Sequence, residues 1–571
     1  MDSKPIKDMY SEKKEHLVAL ALLLGPMSVF GVKQQAVKVE RPNILWLSCE
    51  DISPTLSFYG DSTAHTPNLD KLASESLVFT RAFAVVGVCA PSRSAIITGM
   101  YPASIGTQNM RTAHDVMGWG VRKYDQKTGA TDVAGQPVRL YSAVIPDFVK
   151  CFTEYLRADG YYCTNNYKTD YQFAAPVTAW DDNSKNATWK NCPSGRPFFS
   201  VFNHEVTHES RMWINKKLPQ TVSPKSVPLP DYYPEDSIVR QDVARNYSNI
   251  ELLDKQLGEK IAELKKAGLY DKTIIFFFSD HGGPLPRGKR EIYDSGLRVP
   301  LLVHFPGGAH AGRVDDLVSY VDLAPTILSL AGIKPPDYMQ GQAFLGTYKA
   351  SEPRKYIFGS GDRFDEFSDR IRVIRDKRYL FVKNYYPELP AYKDVTYRKQ
   401  MDMMNELLRL RDGGKLSGPT AYWFRPAKTK EEFYDCQTDP FNLNNRIDDP
   451  QYAAKIKELR DALDHFVTDI HDKASIPEAQ MIEQMWPGGV QPKTDQPIIS
   501  IKGGTVQISC ATVGSSIGYI LSEKELKPDL NSGWQLYKDP IKTNGAKYLY
   551  IIANRIGYAD SKIVTKKLLA E

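Results

Sequence analysis

The residues best placed to do chemistry begin with a thiol. Cys89 stands in Val88-Cys89-Ala90-Pro91-Ser92-Arg93, followed by an apolar run that closes at Thr98-Gly99. Proline suits the first helical position, where its missing N–H is no loss, so the segment predicts a helix opening at Pro91 with the thiol at its mouth. Unbonded amides at such an opening attract anions, and Arg93 adds a permanently charged planar fork. A second group consists of Glu50, Asp51, Asp280 and His281, mostly oxygen donors. Three carboxylates gathered without a cation would raise one another's pKa values, so together they suit a hard divalent ion. Ca2+ fits best and Mg2+ second; zinc is disfavoured because no paired thiolate or multi-histidine spacing occurs. Lys289, nine residues after Asp280, could hold an oxyanion as a point charge.

These groups must be delivered by framework elements, and the sequence supplies them. Four short apolar runs read as buried strands: Asn43–Ser48, 161–167, 197–202 and Thr273–Ser279. Each ends in polar residues, respectively Cys49-Glu50-Asp51, Lys168-Thr169-Asp170, Asn203-His204 (with His208 four residues on) and Asp280-His281. Open α/β sheets place their ligand sites at the carboxyl ends of strands, so one site drawn from distant segments is the economical reading. Ile250, Leu253, Leu257, Ile261 and Leu264 recur at helical steps and stop at Gly268; Ile456, Leu459, Leu463 and Phe466 predict a second helix over 452–470. Turn formers from Trp486 to Pro492 predict a linker. Beyond it, alternation at Val506, Ile508 and Cys510 and the run Tyr548–Ile552 predict a small β-rich unit. The expected organisation is a leader over 1–38, an α/β domain over 39–485 and a C-terminal β-rich domain over 486–571.

The string Cys89-x-Pro91-Ser92-Arg93 with Thr98-Gly99 resembles the signature of the type I sulfatases, members of the alkaline-phosphatase superfamily. Lys289-x-x-x-Tyr293-x-x-Gly296-x-Arg298-Val-Pro300 is similar to their second long motif. Arg41-Pro-Asn, Thr66-Pro-Asn and Glu432-Phe-Tyr-Asp also fall in the family's order. The resemblance runs from about Arg41 to about Asn445 and implies a large mixed sheet with helices on both faces. It further implies oxidation of Cys89 to formylglycine by a formylglycine-generating enzyme, and a metal held by Glu50, Asp51, Asp280, His281 and the modified residue 89. Glu50 stands where aspartate is commoner. The implied chemistry is attack of the hydrated aldehyde on sulfur, with Arg93, Lys168 and Lys289 neutralising oxygens and His208 protonating the departing alcohol. Where the family usually has Gly-Lys-x-His, this chain has Asp170 at the histidine position, so the base is Asp170, His204 or His114. Arg363, Arg111, His114 and Trp119 are expected at the rim, with His204, as substrate contacts. The substrate implied is a sulfated oligosaccharide or polysaccharide, as for the carbohydrate sulfatases of bacteria; related phosphonate or phosphodiester hydrolases share the fold.

Composition sets outer limits. In 571 residues there are 73 basic and 68 acidic side chains, a net charge of +5, and no basic run of the kind that binds nucleic acid. The apolar stretch Leu17–Leu24 after Lys13-Lys14 is too short to span a bilayer and has the order of a secretory signal. A secreted or periplasmic protein with no integral membrane segment once mature is therefore expected. Seven cysteines leave six if Cys89 is reserved for chemistry, enough for one or two disulfides.

Overall fold

A computed structural model describes residues 41–568. The leader expected over 1–38 lies outside the described residues.

The strand Asn43–Cys49 is buried on both sides, and its alternation supplies two cores. Ile44 and Trp46 join Phe199, Phe276 and Phe278 on one face; Leu45 and Leu47 join Phe198, Phe202, Ile275 and Phe277 on the other. Helices Cys89–Thr98, Phe152–Ala158 and Leu323–Leu330 cover the first face. Helices Pro67–Ser74, Ser237–Lys266 and Asp402–Asp412 cover the second. A sheet so enclosed cannot show polar alternation, which is why these strands read as continuous apolar runs.

From edge to edge the sheet runs Gly312–Ser319, Ser76–Phe83, Leu301–His304, Thr273–Ser279, Asn43–Cys49, Phe198–His204, Tyr162–Asn166 and Asp182–Asn183. The strands from Thr273–Ser279 to Asp182–Asn183 are mutually parallel, whereas Leu301–His304 is antiparallel to both its neighbours. The architecture is thus α/β with a mixed central sheet, as expected. A second, antiparallel sheet of Ile357–Gly361, Ile371–Arg375, Tyr379–Asn384 and Glu431–Asp435 packs Ile374, Phe381 and Phe433 against the helix Ala453–Asp469. Two further antiparallel sheets occupy 498–567, the β-rich region foreseen.

Three expectations are corrected. The signature helix begins at Cys89, not Pro91: Val88 is the extended residue before it, and Pro91 is the third helical residue. The first of the helix's own bonds is donated by Ser92 to Val88 O at 3.3 Å, so the third helical position needs no N–H and proline is tolerated there. The segment from Trp486 is no loose linker, because Trp486 is buried, meets Tyr124 edge-on at 5.2 Å and donates from Nε1 to Ser142 O at 3.2 Å. All seven cysteines are free. Cys49, Cys89, Cys151 and Cys163 are buried as free thiols, with Cys163 Sγ donating to Thr153 O at 3.9 Å.

Candidate active site

The carboxyl ends of two adjacent parallel strands bring Glu50, Asp51, Asp280 and His281 together, and the helix Cys89–Thr98 approaches them with its first residue. Cys89 Sγ lies 3.3 Å from His281 Nε2, 3.3 Å from Lys289 Nζ, 3.6 Å from Glu50 Oε2 and 4.0 Å from Asp51 Oδ1. Ser92, one turn into the helix, donates from Oγ to Asp280 O at 2.6 Å, which locks the helix start onto the strand end.

Cations interleave the acids. Lys289 Nζ bridges both Asp51 oxygens at 2.9 and 2.8 Å, and Lys168 Nζ donates to Glu50 Oε2 at 2.7 Å. Arg93 donates to Glu50 Oε1, to Asp280 Oδ2 at 3.3 Å and to Asn203 Oδ1 at 2.9 Å. Glu50, Asp51, Asp280, His281 and Lys289 each have 0% exposure, so every charge depends on these partners. Burial by itself would raise the Glu50 and Asp51 carboxyls; Lys168 and Arg93 for Glu50, and Lys289 and His281 for Asp51, hold both below the usual carboxylate range. Burial would likewise lower His281, but Asp280 and Asp51 carry it well above the ordinary imidazole value. For Cys89 burial wins over Lys289 and Lys168, so the thiol is raised and stays protonated. An unmodified Cys89 is therefore a poor nucleophile.

Two overlapping groups, Glu50–Asp51–Cys89–His208 and Asp51–Cys89–Asp280–His281, have their potential ligating atoms within 4.8 Å of one another. This donor set fits a hard divalent cation. His281 supports the fit: its Nδ1 meets Gly282 O at 2.9 Å, which turns Nε2 into the cluster, the arrangement that orients a ligating imidazole.

The remaining expected residues are distributed unevenly. Asp170 is buried with a carboxylate oxygen 3.8 Å from Lys168 Nζ, and its charge is felt by Arg93, Arg111 and Lys168. His208 joins the first acidic group, and its Nδ1 meets Ser210 Oγ at 2.8 Å. His204 sits at the same strand end but turns its Nδ1 to Gln256 Oε1 at 3.2 Å. His114 is exposed and pairs with Gln126. Arg111 is exposed, 3.2 Å from Asp365 and 5.2 Å from the Tyr397 ring centroid. Two residues expected on the rim are elsewhere. Arg363 is 2% exposed and spends its donors on Glu478, Met110 O and Asp365 O, because the helix Glu478–Met485 brings a carboxylate to it. Trp119 is packed into the apolar cluster beneath the sheet.

Several members of the site were given no role from the sequence, Asn203 having been noted only as a strand-end residue. Asn203 joins Arg93 to Ser48, Thr207 Oγ1 donates to Glu50 O at 2.6 Å, and Glu209 N donates to Asp51 Oδ2 at 2.7 Å. The Glu209 carboxylate accepts from Arg290 Nη1 at 2.9 Å, and Arg290 Nε continues to Asp365 at 2.6 Å. The available signals were adjacency alone: Asn203 beside His204, Arg290 beside Lys289.

A mixed sheet whose parallel strand ends gather acids, cations and a cysteine at a helix mouth has the charge arrangement that suits an anionic ester, and the family of hydrolases it belongs to follows from its relatives. The Sulfatase family profile matches residues 42–333, more than half of the chain, and a profile described as N-sulphoglucosamine sulphohydrolase, C-terminal, matches 287–409. The chain belongs to the sulfatase family and is a sulfuric ester hydrolase. It is 43% identical over 576 residues to an ulvan-active sulfatase of Formosa agariphila, covering 94% of this chain and 93% of that one. It is 25% identical over 496 residues to human N-sulphoglucosamine sulphohydrolase, covering 78% and 94% respectively. Among solved structures, a protein in complex with its substrate D-glucosamine-2-N,6-O-disulfate shares the fold with a TM-score of 0.52 at 17% identity, covering 77% of this chain and 99% of that one. A phosphonate monoester hydrolase of Agrobacterium radiobacter shares it equally, with a TM-score of 0.52 at 17% identity, covering 75% and 96%. Among the described residues no helix is long and apolar enough to cross a membrane.

Proposed function

We propose that this protein removes sulfate from a sulfated polysaccharide or its fragments, with residue 89 as formylglycine and a divalent cation, Ca2+ before Mg2+, at Glu50, Asp51, Asp280 and His281. The observation that carries this reading is the convergence on Cys89 Sγ of Lys289, His281, Glu50 and Asp51 within 4.0 Å. The near full-length similarity to an ulvan-active sulfatase supports the polymer class. The leader read in the sequence supports export, as proposed for the mature protein's location.

The metal would supply charge neutralisation at the ester oxygens, and formylglycine, once hydrated, the attacking hydroxyl. The chain's own residues do the rest. Lys168 and Lys289 hold the sulfate oxygens, and Arg93, already fixed by Asn203, steadies the charge developing beside residue 89. His208 donates the proton that the leaving alcohol requires, and Asp170, whose carboxylate lies among the cations, takes up the proton of the hydrate.

This assignment has a pH consequence. Burial lowers the His208 pKa well below the ordinary imidazole value, and Lys289 lowers it further, so the free site holds it neutral near pH 7. An arriving ester anion offsets the lysine charge and favours the imidazolium. Since kcat/KM follows protonation of the free protein, it should rise about tenfold per unit as pH falls from 8 toward the depressed pKa. His208→Gln should flatten that dependence, and an unchanged profile in the variant removes His208 from the acid role.

Metal binding has a readout apart from turnover. Ca2+ at about a hundred times its Kd should stabilise the fold by about 2.7 kcal/mol, seen as a rise in Tm of the chelator-treated protein. No shift with either Ca2+ or Mg2+ contradicts the site. Sulfate release from defined ulvan and heparan oligosaccharides tests the substrate class, and 4-nitrophenyl sulfate against 4-nitrophenyl phosphate and phosphonate esters tests the ester. Preference for phosphorus would transfer the protein to the activity of its phosphonate-cleaving fold relative.

A further inference from the structure

Toward one edge of the central sheet, away from the acidic cluster, opens a cleft of about 330 Å3, within the size range of ligand sites. Its lining sets Arg81, Arg298, Arg375, Lys377 and Arg378 against one carboxylate, Asp315. Arg81 comes from the strand Ser76–Phe83, and Arg298 follows the helix Asp294–Leu297. The other three cations stand at the turn joining Ile371–Arg375 to Tyr379–Asn384 in the second sheet. No residue of the acidic cluster takes part, and the edge strand Gly312–Ser319 is three strands from Thr273–Ser279, about 14 Å across the sheet. Two guanidiniums are fixed in place. Arg375 donates from Nε and Nη2 to Asp294 at 2.8 Å each and lies 4.9 Å from the Phe83 ring centroid, and Arg378 donates to Asp435 at 2.9 and 2.6 Å. The Asp294 and Asp435 side chains are 13% and 4% exposed, so their charges are largely withdrawn from solvent, whereas Lys377 and Arg378 are nearly half exposed. Arg81 pairs with Asp315, and Lys377 with Asp316 at 3.4 Å, carboxylates largely open to water, where such pairs are weak. Arg298 has no carboxylate partner among the described residues; its Nη2 donates to Thr80 O at 2.9 Å. Burial lowers its pKa from the ordinary guanidinium value; Asp294 opposes the fall, and Arg375 and Arg81 add to it. Like charges crowded around an unpaired arginine carry a cost that a bound anion relieves.

We propose that this cleft is a second, noncatalytic binding site for a polyanion, a sulfate- or carboxylate-bearing stretch of polysaccharide separate from the stretch under attack. Planar guanidinium forks match the oxygens of sulfate and carboxylate two at a time, and forks already fixed lose little freedom on binding. A site set apart from residue 89 keeps the protein on its polymer without filling the catalytic centre. The inference rests on the sulfated-polysaccharide reading above and adds to it a salt-sensitive attachment.

The test measures binding to immobilised heparin, a dense sulfated polymer, over a range of salt, beside sulfate release from a sulfated monosaccharide. It compares the wild type with the double variant Arg81→Gln/Lys377→Glu, whose two positions are partly exposed and tolerate polar replacements. The wild type should bind heparin with an affinity that falls steeply as salt rises, by the counterion release that dense polyanions show. At about 0.1 M salt the variant should bind about tenfold more weakly, with the slope of log affinity on log salt reduced by about 2. Its kcat/KM for the monosaccharide should equal that of the wild type. Wild-type heparin affinity in the folded variant, a wild type that does not bind heparin, or a parallel fall in monosaccharide turnover overturns the second site and leaves the sulfatase assignment standing. Heparin binding that weakens as expected in the variant, with no sulfate released by the wild type from any sulfated sugar, upholds the cleft as a polyanion site and overturns the substrate class on which its role depends.

Discussion

Cys89→Ala protein should fold as the wild type does and lose turnover of sulfate esters by about four orders of magnitude or more. The side chain is small and 1% exposed, and its removal leaves every carboxylate with its cation: Lys289 on Asp51, Lys168 and Arg93 on Glu50. The fold should therefore keep its circular dichroism and melting behaviour. The loss should be this large because the carboxylates of the cluster are held in pairs with cations, Glu50 by Lys168 and Arg93 and Asp51 by Lys289, and the raised pKa of the thiol already denies an unmodified cysteine the nucleophile's role. Protein produced with and without a formylglycine-generating enzyme, compared by the mass of the peptide around residue 89 and by specific activity, provides the second arm. Turnover near wild type in the alanine variant, or activity that ignores conversion, would sink the assignment.

Arg290→Ala should destabilise the protein by about 3–5 kcal/mol, the cost of stripping the partner from a buried charge. Arg290 is fully buried between Glu209 and Asp365, neither of which has more than 7% side-chain exposure. The loss leaves Glu209 with Arg398 at 3.7 Å and Asp365 with the exposed Arg111 at 3.2 Å. Activity should fall too, since Glu209 supplies the backbone N–H that positions Asp51. Denaturant unfolding followed by two probes checks the first claim; a change under about 1 kcal/mol would show the pair to be replaceable by solvent.

What the sequence disclosed and what it concealed divide along a physical line. Strand ends were readable because an enclosed parallel sheet forces unbroken apolar runs, and polar residues just after such a run have few places to go but the crevice. Glu50, Asp51, Lys168, Asp280 and His281 were all found that way. The helix mouth was placed two residues late because proline marks the first turn without fixing its first residue. Arg363 was misplaced because its fate is decided by Glu478, 115 residues away, and long-range charge pairing leaves no local trace. Trp486 shows the same failure: Pro-Gly-Gly marks a turn whether it floats or is pinned by an indole packed on Tyr124. The cysteines could be counted but not located, so a possible pairing was read where the fold leaves every thiol free. Glu209 and Arg290 belong to a charge relay that spans three loops, visible only once the chain has closed.

Every residue of the helix Cys89–Thr98 is buried, its first residue included. An enzyme that modifies residue 89 must reach its side chain, which in the folded protein is 1% exposed within a wholly buried helix. The proposed conversion of Cys89 must then be cotranslational or nearly so, a race between an oxidising visitor and the collapse of the sheet. On that proposal, protein that folds first keeps its thiol behind the buried helix, and specific activity reports the fraction converted before folding.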